Sequence, residues 1–143
     1  MPENSLVIRK ADWPGDKEAL SLIRKTVFIE EQKVPEELEW DEYDFSSRHF
    51  LATLDNRPIA SARLKADGQI GRMAVLKEYR NRGIGTELLR FVLQTAAEEK
   101  IDSLYLHAQV EAIPFYERQG FVVQGDVFYE ADIPHRAMSK KTC

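Results

Sequence analysis

The chain has 143 residues, of which 43% are hydrophobic and 31% are charged, and its formal net charge is −4. This length and composition predict a single globular domain, 1–143, that buries its own core. The negative charge argues against a nucleic-acid-binding protein, and no apolar run reaches the ~18 residues needed to span a membrane. The N-terminus lacks the features of a signal peptide. The single cysteine, Cys143, ends the chain, where it has no pairing partner and is a poor candidate nucleophile, so we expect a cytoplasmic protein.

The N-terminal third is predicted to hold a short strand at 6–10, a helix at 16–29 and a second short helix near 35–40. The tripeptide Trp13-Pro14-Gly15 interrupts the chain before the first helix, and Asp16 is suited to cap that helix. One face of the helix is apolar, because hydrophobic residues recur every three to four positions at Ala19, Leu20, Ile23 and Val27.

An acidic segment follows at 36–44, in which carboxylates alternate with the aromatic residues Trp40 and Tyr43. A run of charge is usually a solvated loop or helix face. The interleaved rings also allow a functional interpretation, in which the segment is the lip of a cleft that attracts a cationic amine. The sequence leaves both interpretations open.

Residues 48–76 are predicted to form three strands of an antiparallel meander, because the turns at 55–58 and 67–68 are short. The most regular pattern is an amphipathic helix at 83–99, followed directly by an apolar strand at 103–108. A strand, a helix and a strand in this order predict a parallel strand pair with a right-handed crossover.

The C-terminal part begins with a predicted short helix at 111–119, which Gly120 ends as a C-cap. Two further segments, 121–123 and 128–130, are predicted to be closing strands, and 136–138 is predicted to be a last edge strand. The sequence shows no internal repeat, low-complexity segment or interdomain linker.

A strand, a basic loop, two glycines and a helix within 72–89 predict a binding site for an anion. Gly83 and Gly85 lack a Cβ atom, so a ligand can approach the backbone closely. The helix that follows offers unpaired N–H groups and the positive end of its dipole, and Arg80 and Arg82 add charge. The P-loop pattern is absent because no lysine follows Gly85. A dinucleotide-binding fingerprint lacks its third glycine, and a meander does not suit a doubly wound sheet.

Two spaced motifs resemble one known family. The pattern Arg80-x-x-Gly83-x-Gly85 resembles the R/Q-x-x-G-x-G/A signature of the GNAT superfamily of acetyl-CoA-dependent N-acetyltransferases. The pattern Ala112-x-x-Phe115-Tyr116-x-x-x-Gly120-Phe121 resembles the C-terminal motif of that family and lies in the expected place, after the second strand. The segments 27–32 and 106–109, with the acidic run, further resemble a small bacterial subgroup, the YjcF-like proteins.

The resemblance implies an α+β, or mixed α/β, fold. Its central, mostly antiparallel sheet would have about six to seven strands with one parallel pair, flanked by about four helices. It also implies acetyl-CoA as co-substrate, an amine acceptor and no metal, with direct transfer in a ternary complex. The implied cofactor contacts are Met73, Ala74 and Val75 along the pantetheine arm, residues Arg80, Asn81, Arg82, Gly83, Ile84, Gly85 and Thr86 around the pyrophosphate, and Gln109, Ala112 and Phe115.

The resemblance places Tyr116 at the general-acid position, where a phenol can protonate the leaving thiolate. The alternative for Tyr116 is a core-packing role. For the general base, His107 has a suitable ordinary pKa of ~6.5, but a structural role, Glu30, Glu31 or a chain of waters are alternatives. The acceptor contacts are assigned to Glu30, Glu31, Trp40 and Tyr43.

The other two histidines, His49 and His135, are expected at the surface or in turns. No His or Cys pair has metal-ligand spacing, so metal binding is not expected. A second functional reading is a module that binds acyl-CoA as a sensor without turnover, and a third is a dinucleotide-binding protein. A homodimer through edge strands near 121–139 is suggested by analogy of fold alone.

Overall fold

The computed structural model describes residues 5–142; Cys143 and the N-terminal residues 1–4, on which two of the expectations above rest, lie outside this range. The strands are β1 (Leu6–Ala11), β2 (Arg48–Leu54), β3 (Arg57–Leu64), β4 (Ile70–Val75), β5 (Ser103–Gln109), β6 (Val122–Glu130) and β7 (Ile133–Lys141). The helices are α1 (Trp13–Arg24), continued by a π-helical segment (Lys25–Glu31), and α2 (Glu36–Glu39), α3 (Ile84–Glu98) and α4 (Ile113–Glu117). Within 5–142, no helix is long and apolar enough to cross a membrane.

The first sheet contains β1, β2, β3 and β4 in that order, and every neighbouring pair is antiparallel. Its central strands are buried on both faces because helices cover both sides. Phe50 and Ala52 face the cluster that includes α3, whereas Leu51, between them, faces the cluster that includes α1. This two-sided burial explains the nearly unbroken apolar runs of β2 and β3. The predicted three-strand meander is therefore confirmed.

The second sheet has the order β5, β7, β6 and is also antiparallel. The last strand, β7, was predicted at an edge, but it lies in the centre, with the exposed strand β6 outside it. The two closing strands predicted at 121–123 and 128–130 are one strand, β6, whose register shifts between Gln124 and Phe128. A bulge interrupts the alternation there, which is why the sequence pattern reads as two pieces.

The two sheets meet at one point and then separate. Gln69 and Tyr105 form a parallel bridge, the Tyr105 N–H donates to the Gly68 carbonyl (3.1 Å), and the Tyr105 hydroxyl donates to Asp67 (2.6 Å). Gly68 has a positive φ of 96°, and a Cβ atom there would lie 2.4 Å from the Ser103 carbonyl oxygen. Only glycine allows this approach. The predicted parallel pairing of β4 and β5 therefore consists of this bridge at their start, and the two strands diverge beyond it.

Two other helical predictions hold with changed limits. Trp13-Pro14-Gly15 follows the end of β1, as predicted, but it forms the first turn of α1, so the helix begins before the predicted cap Asp16; proline is tolerated in this turn and Trp13 is buried. Gly120 follows α4 with φ 94°, and the Phe121 N–H donates to the Tyr116 carbonyl (3.2 Å), so the predicted C-cap is confirmed.

The first helix continues beyond Arg24 as a π-helical turn. The Gln32 N–H donates to the Val27 carbonyl five residues earlier (3.0 Å), and the chain then leaves the helix through Lys33, which has φ 63°. π-helical turns are rare and occur most often at functional sites. This turn carries Val27 and Phe28 to the gap between the two sheets.

Candidate functional site

A cavity of about 750 Å³ opens where β4 and β5 diverge. One side is formed by β4 and the start of α3, and the other by β5, α4 and the tip of the β6–β7 hairpin. The π-helical segment and α2 close a third side. Predicted site residues in its lining are Met73, Ala74, Val75, Arg80, Gly85, His107, Gln109, Ala112, Phe115 and Tyr116.

The turn before α3, which we call the glycine turn (80–86), has the backbone geometry of a helix N-terminus with unpaired N–H groups. Asn81 and Gly83 both have positive φ, 63° and 79°, and Gly83 is the residue before the first turn of α3. The Glu87 N–H makes the first intrahelical bond, to the Gly83 carbonyl (3.1 Å). The N–H groups of the three preceding residues therefore point out of the 15-residue helix at the positive end of its dipole.

The second glycine has a different role from the first. Gly85 lines the cavity, and a Cβ atom there would contact the Phe115 ring at 3.5 Å and a methyl group of Val75 at 3.8 Å. Its missing side chain keeps the passage between β4 and α4 open. Gly83, in contrast, has no atom within 4 Å of a hypothetical Cβ, so its requirement is one of conformation. Together these features fit a phosphate-bearing ligand whose chain runs along β4.

The Arg80 guanidinium lines the cavity but already has partners. Its Nε donates to the Val75 carbonyl (2.8 Å), and its two terminal nitrogens donate to the two carboxylate oxygens of Glu31 (both 2.7 Å). These hydrogen bonds hold the pKa of Glu31 below its usual value. The pair joins the π-helical segment to the glycine turn. Arg82 is exposed and lies over the Tyr79 ring (5.4 Å), outside the cavity lining, as are Asn81, Gly83, Ile84 and Thr86.

Strand β4 contains a bulge within the cavity wall. Ser61 pairs with Ala74 but Arg63 pairs with Gly71, so Arg72 and Met73 together oppose a single residue of β3. Arg72 has φ 50°, and its guanidinium donates outward to the Glu39 carbonyl (2.9 Å) and the Asp41 carboxylate (3.1 Å). A bulge removes one residue from the ladder, so a main-chain group of β4 is available to a ligand.

Tyr116 lies on the opposite side of the cavity, on α4. Its ring packs edge-on against Phe115 (5.0 Å between centroids) and Phe121 (6.0 Å). Within residues 5–142 its hydroxyl has no hydrogen-bond partner. Desolvation by the surrounding protein raises the pKa of Tyr116 to about 12, so the phenol is protonated at neutral pH. Both roles considered for it, packing and proton donation, are compatible with this position.

His107 lies in the cavity wall beside two groups that the sequence did not predict. Its Nδ1 is 2.8 Å from Oε2 of Glu130, and the other oxygen of Glu130 is 3.9 Å from Nε2 of His135. All three residues line the cavity. Among the described residues, no group of three or more His, Cys, Asp or Glu side chains is arranged to hold a metal ion.

Both remaining histidines were expected at the surface, and this expectation is wrong. His135 is 8% exposed, stacks on Phe128 (6.0 Å) and donates from Nδ1 to the Ile133 carbonyl (2.7 Å). His49 is 2% exposed and stacks on Trp13 (4.8 Å), and burial lowers its pKa. His49 lies two residues before the buried Leu51 on the same face of β2, so the alternation of that strand was an available sign of its burial.

Part of the acidic segment is a solvated face, because Glu36, Glu37 and Glu42 are exposed, but two of its carboxylates are buried. Glu39 and Asp44 are buried with Arg24, whose guanidinium donates to both carboxylates at 2.8 Å. Arg63 donates to Asp44 (3.0 Å) and to Asp41. Burial alone would raise the pKa of Asp44, but the hydrogen bonds and charges of Arg24 and Arg63 hold it below its ordinary value. We call these residues the ion network: Arg24, Glu39, Asp41, Asp44, Arg63 and Arg72.

The four residues assigned to the acceptor lie outside the cavity lining. Glu30 is exposed, and Glu31 pairs with Arg80. The Arg24 guanidinium lies over the Trp40 ring (4.9 Å to the centroid), and the Lys65 ammonium lies over the Tyr43 ring (3.9 Å). The aromatic rings of the segment thus contact cations of this protein. The Gln109 amide donates to Gln32 (2.8 Å), which bridges β5 and the π-helical segment across the cavity.

Besides neighbours of the predicted residues in β4 and β5, the sequence analysis missed cavity residues in two other places. Phe28, Gln32 and Leu38 lie on the segment between α1 and β2, whereas Glu130 and His135 lie on the β6–β7 hairpin. One sequence signal pointed to the ion network behind the cavity. Arg24 lies four residues after Leu20, within an apolar stripe, which indicates a buried charge that needs acidic partners. No pattern in the sequence indicates which strand residues meet across the hairpin.

Comparison with known proteins agrees with this geometry. The sequence profile of the GNAT acetyltransferase domain matches residues 14–142. The chain is 34% identical to the uncharacterized N-acetyltransferase YjcF of Bacillus subtilis over 122 residues, which cover 82% of this chain and 87% of YjcF. Two solved structures are similar: an acyl-CoA N-acyltransferase from Pseudomonas aeruginosa (TM-score 0.86, 32% identity, 95% and 99% of the two chains) and Escherichia coli ElaA (TM-score 0.87, 27% identity, 95% and 99%).

Proposed function

The chain belongs to the GNAT family of acetyltransferases, which take an acyl group from acyl-CoA, and we propose that it transfers an acetyl group to a primary amine. The acceptor would be a small molecule or a peptide, and attack would occur directly in a ternary complex. The single observation that carries this proposal is the cavity between β4 and β5, which has an anion-binding turn at one end and ionisable groups at the other. The family membership itself establishes the acyl-CoA donor and the class of enzyme.

We assign the donor to the half of the cavity formed by Met73–Val75 and the glycine turn, which we call the donor half. The bulge at Arg72 and Met73 supports an extended pantetheine arm beside β4, because such a ligand binds like an added strand. The helix N-terminus supports the diphosphate at Arg80–Thr86. Gln109, Ala112 and Phe115 would contact the arm from the β5 side.

The acceptor would enter from the opposite half, which we call the acceptor wall: residues 27–39 and 130–135. The amine must lose a proton to attack the thioester carbon, and His107 lies where it can accept that proton. The oxyanion that forms would be stabilised by a main-chain N–H freed by the bulge in β4. Tyr116, protonated because its pKa is about 12, would protonate the departing thiolate.

The acceptor wall supports an amine with an apolar body. Val27, Phe28, Val34, Leu38 and Ile133 provide its surface. The cation in the same lining, Arg72, already pairs with Glu39 and Asp41, so it is not placed to bind an acceptor carboxylate. Trp40 and Tyr43 would influence the acceptor only through the ion network that they cover.

The test begins with calorimetric titration of acyl-CoAs of increasing chain length. The donor that binds best is then assayed against a panel of amines, with detection of free CoA thiol and mass spectrometry of the product. We expect amine-dependent thiol release that matches the amount of N-acetylated product. Tight acetyl-CoA binding with no amine-dependent release across aliphatic, aromatic and peptide amines would instead indicate a sensor module without turnover.

A further inference from the structure

The hairpin formed by β6 and β7 brings a carboxylate to the predicted base. Glu130 is the last residue of β6, and the two residues of the turn that follow, Ala131 and Asp132, both have positive φ (50° and 63°). Such a two-residue turn has the tight, left-handed geometry that suits the twist of a hairpin. The tip lies over the cavity, where Glu130 meets His107 of β5.

An aromatic contact and a hydrogen bond fix the orientation of the imidazole. The Phe128 ring lies edge-on to the His107 ring, with 5.0 Å between centroids and an angle of 82°, and Phe128 also stacks on His135. The carboxylate of Glu130 lies in hydrogen-bond distance of Nδ1 (2.8 Å). A carboxylate accepts hydrogen bonds only, so Nδ1 must carry the proton, and Nε2 of the neutral ring is left as an acceptor.

We propose that Glu130 is a positioning residue for His107, which holds its ring in the tautomer with Nε2 unprotonated and stabilises the imidazolium formed when Nε2 takes a proton. The inference rests on the proposed function, because it assigns His107 the role of base toward the acceptor amine. The N–H bond of the ammonium group breaks and an N–H bond to Nε2 forms, so the positive charge moves from the acceptor nitrogen to the imidazole ring, while Nδ1–H remains bonded to Glu130. The proton on Nδ1 is not passed on to Glu130.

The other ionisable groups near His107 have partners elsewhere and do not hydrogen-bond to its ring. Tyr105, on the same strand, directs its hydroxyl to Asp67, and His135 on β7 contacts the Ile133 carbonyl. In the lining across the cavity, Glu39 pairs with Arg24 and Arg72, and Arg80 pairs with Glu31. Within residues 5–142, Glu130 is therefore the carboxylate that lies within hydrogen-bond distance of the His107 ring. Since its side chain is 48% exposed, water screens its charge and the effect should be moderate.

Two substitutions separate the charge of Glu130 from its hydrogen bond. Glu130→Gln keeps an acceptor oxygen but removes the charge. We expect kcat to fall about tenfold at neutral pH, with the KM for acetyl-CoA unchanged, and the acidic limb of the kcat profile to move to lower pH. Glu130→Ala removes both, and the rate should fall further. The matched control is Glu111→Gln, an exposed carboxylate outside the cavity lining, whose rate and pH profile should equal those of the wild type.

A double-mutant cycle tests whether Glu130 acts through His107. His107→Gln should cost about 10²-fold in kcat, and Glu130→Gln in that background should cost little more, because the two residues act as one unit. A full additional tenfold loss in the double variant, or an unshifted acidic limb in Glu130→Gln, would overturn the proposal.

A second measurement does not depend on turnover. The ¹⁵N shifts of the His107 ring should show the Nδ1–H tautomer in the wild-type protein and a tautomer mixture in Glu130→Ala. An Nε2–H tautomer in the wild type would overturn the inference even for an active enzyme. Absence of turnover with every amine would contradict the proposed function instead, whatever the tautomer shows.

Discussion

The donor half and the acceptor wall of the cavity are built from different kinds of interaction. In the donor half, main-chain features dominate: a bulge in β4, left-handed residues at Asn81 and Gly83, and the N-terminus of α3. The acceptor wall is held by contacts between side chains distant in sequence: the ion network, which includes Glu39 of the wall, and the pair of Glu130 with His107. Main-chain features suit a donor shared across a family, whereas side-chain pairs can change with the acceptor.

The largest expected effect lies in the ion network that supports the acceptor wall. Arg24→Met keeps the length of the side chain but leaves Glu39 and Asp44 buried without this partner. We expect a loss of ~3–5 kcal/mol in the free energy of unfolding, measured by urea denaturation. The matched control is Arg9→Met, since Arg9 pairs with Asp16 at the surface and should cost under ~1 kcal/mol. Equal losses in the two variants would show that the network does not stabilise the wall.

The difference in the free energy of unfolding between the wild type and Arg24→Met should change with pH in a defined direction. The pKa of Asp44 is lowered in the folded protein from an ordinary value of 3.8, so its stabilising contribution is present above that pH. As the pH falls below 3.8, the contribution is lost in the wild type. Protonation also relieves the buried carboxylates of Arg24→Met. The stability gap between wild type and variant should therefore narrow in acid, and a gap that widened would contradict the assignment.

Tyr116→Phe is expected to have the next largest effect. It tests the side of the cavity that α4 forms, between the donor half and the acceptor wall. Loss of the phenol should lower kcat about 10²-fold at saturating acetyl-CoA, because the thiolate then leaves without a proton donor. Packing against Phe115 and Phe121 should survive, so the free energy of unfolding should change little. Because the pKa of Tyr116 is raised to about 12, the phenol stays protonated and should cause no loss of rate between pH 6 and 10. Unchanged turnover in the variant would restrict Tyr116 to packing.

Gly83→Ala addresses the main chain of the donor half alone. No atom lies within 4 Å of the new Cβ, so the cost is the left-handed conformation at φ 79°, ~1–2 kcal/mol. Thermal denaturation should show this loss, and calorimetry should show weaker acetyl-CoA binding. Gly71→Ala is the stability control: its Cβ also meets nothing within 4 Å, but its φ is ordinary, so it should be neutral or slightly stabilising. A loss in both variants of the same size would mean that conformation is not the reason for Gly83.

The contrast between local main-chain features and side-chain pairs distant in sequence also explains which parts of the fold and of the candidate site the sequence predicts. The glycine turn, the helix at α3 and the Gly120 cap are local, because each depends on a few neighbouring residues whose backbone preferences are readable. The order β5, β7, β6 and the burial of His135 depend on which strands pair, and a central strand and an edge strand can share one pattern. The partners of Arg24 lie 15 and 20 residues away, and no spacing rule connects them.

The smallest predicted effect concerns the ion pair of Arg80 with Glu31, which joins the two halves. Arg80 of the glycine turn is held by Glu31 of the π-helical segment, so a diphosphate that used the Arg80 guanidinium would compete with that carboxylate. Glu31→Gln removes the competing charge, and we expect acetyl-CoA to bind up to about fivefold more tightly, since a half-exposed pair contributes at most ~1 kcal/mol.

The charge-matched control for Glu31→Gln is Glu30→Gln, because Glu30 is the exposed neighbour outside the cavity lining. It removes the same charge from the same segment but leaves the Arg80 pair intact, so calorimetry should show wild-type affinity. If Glu31→Gln instead weakened binding while Glu30→Gln did not, Glu31 would be positioning Arg80 for the diphosphate rather than competing with it. The two halves would then be cooperative, with the acceptor wall preorganising the donor half through this pair.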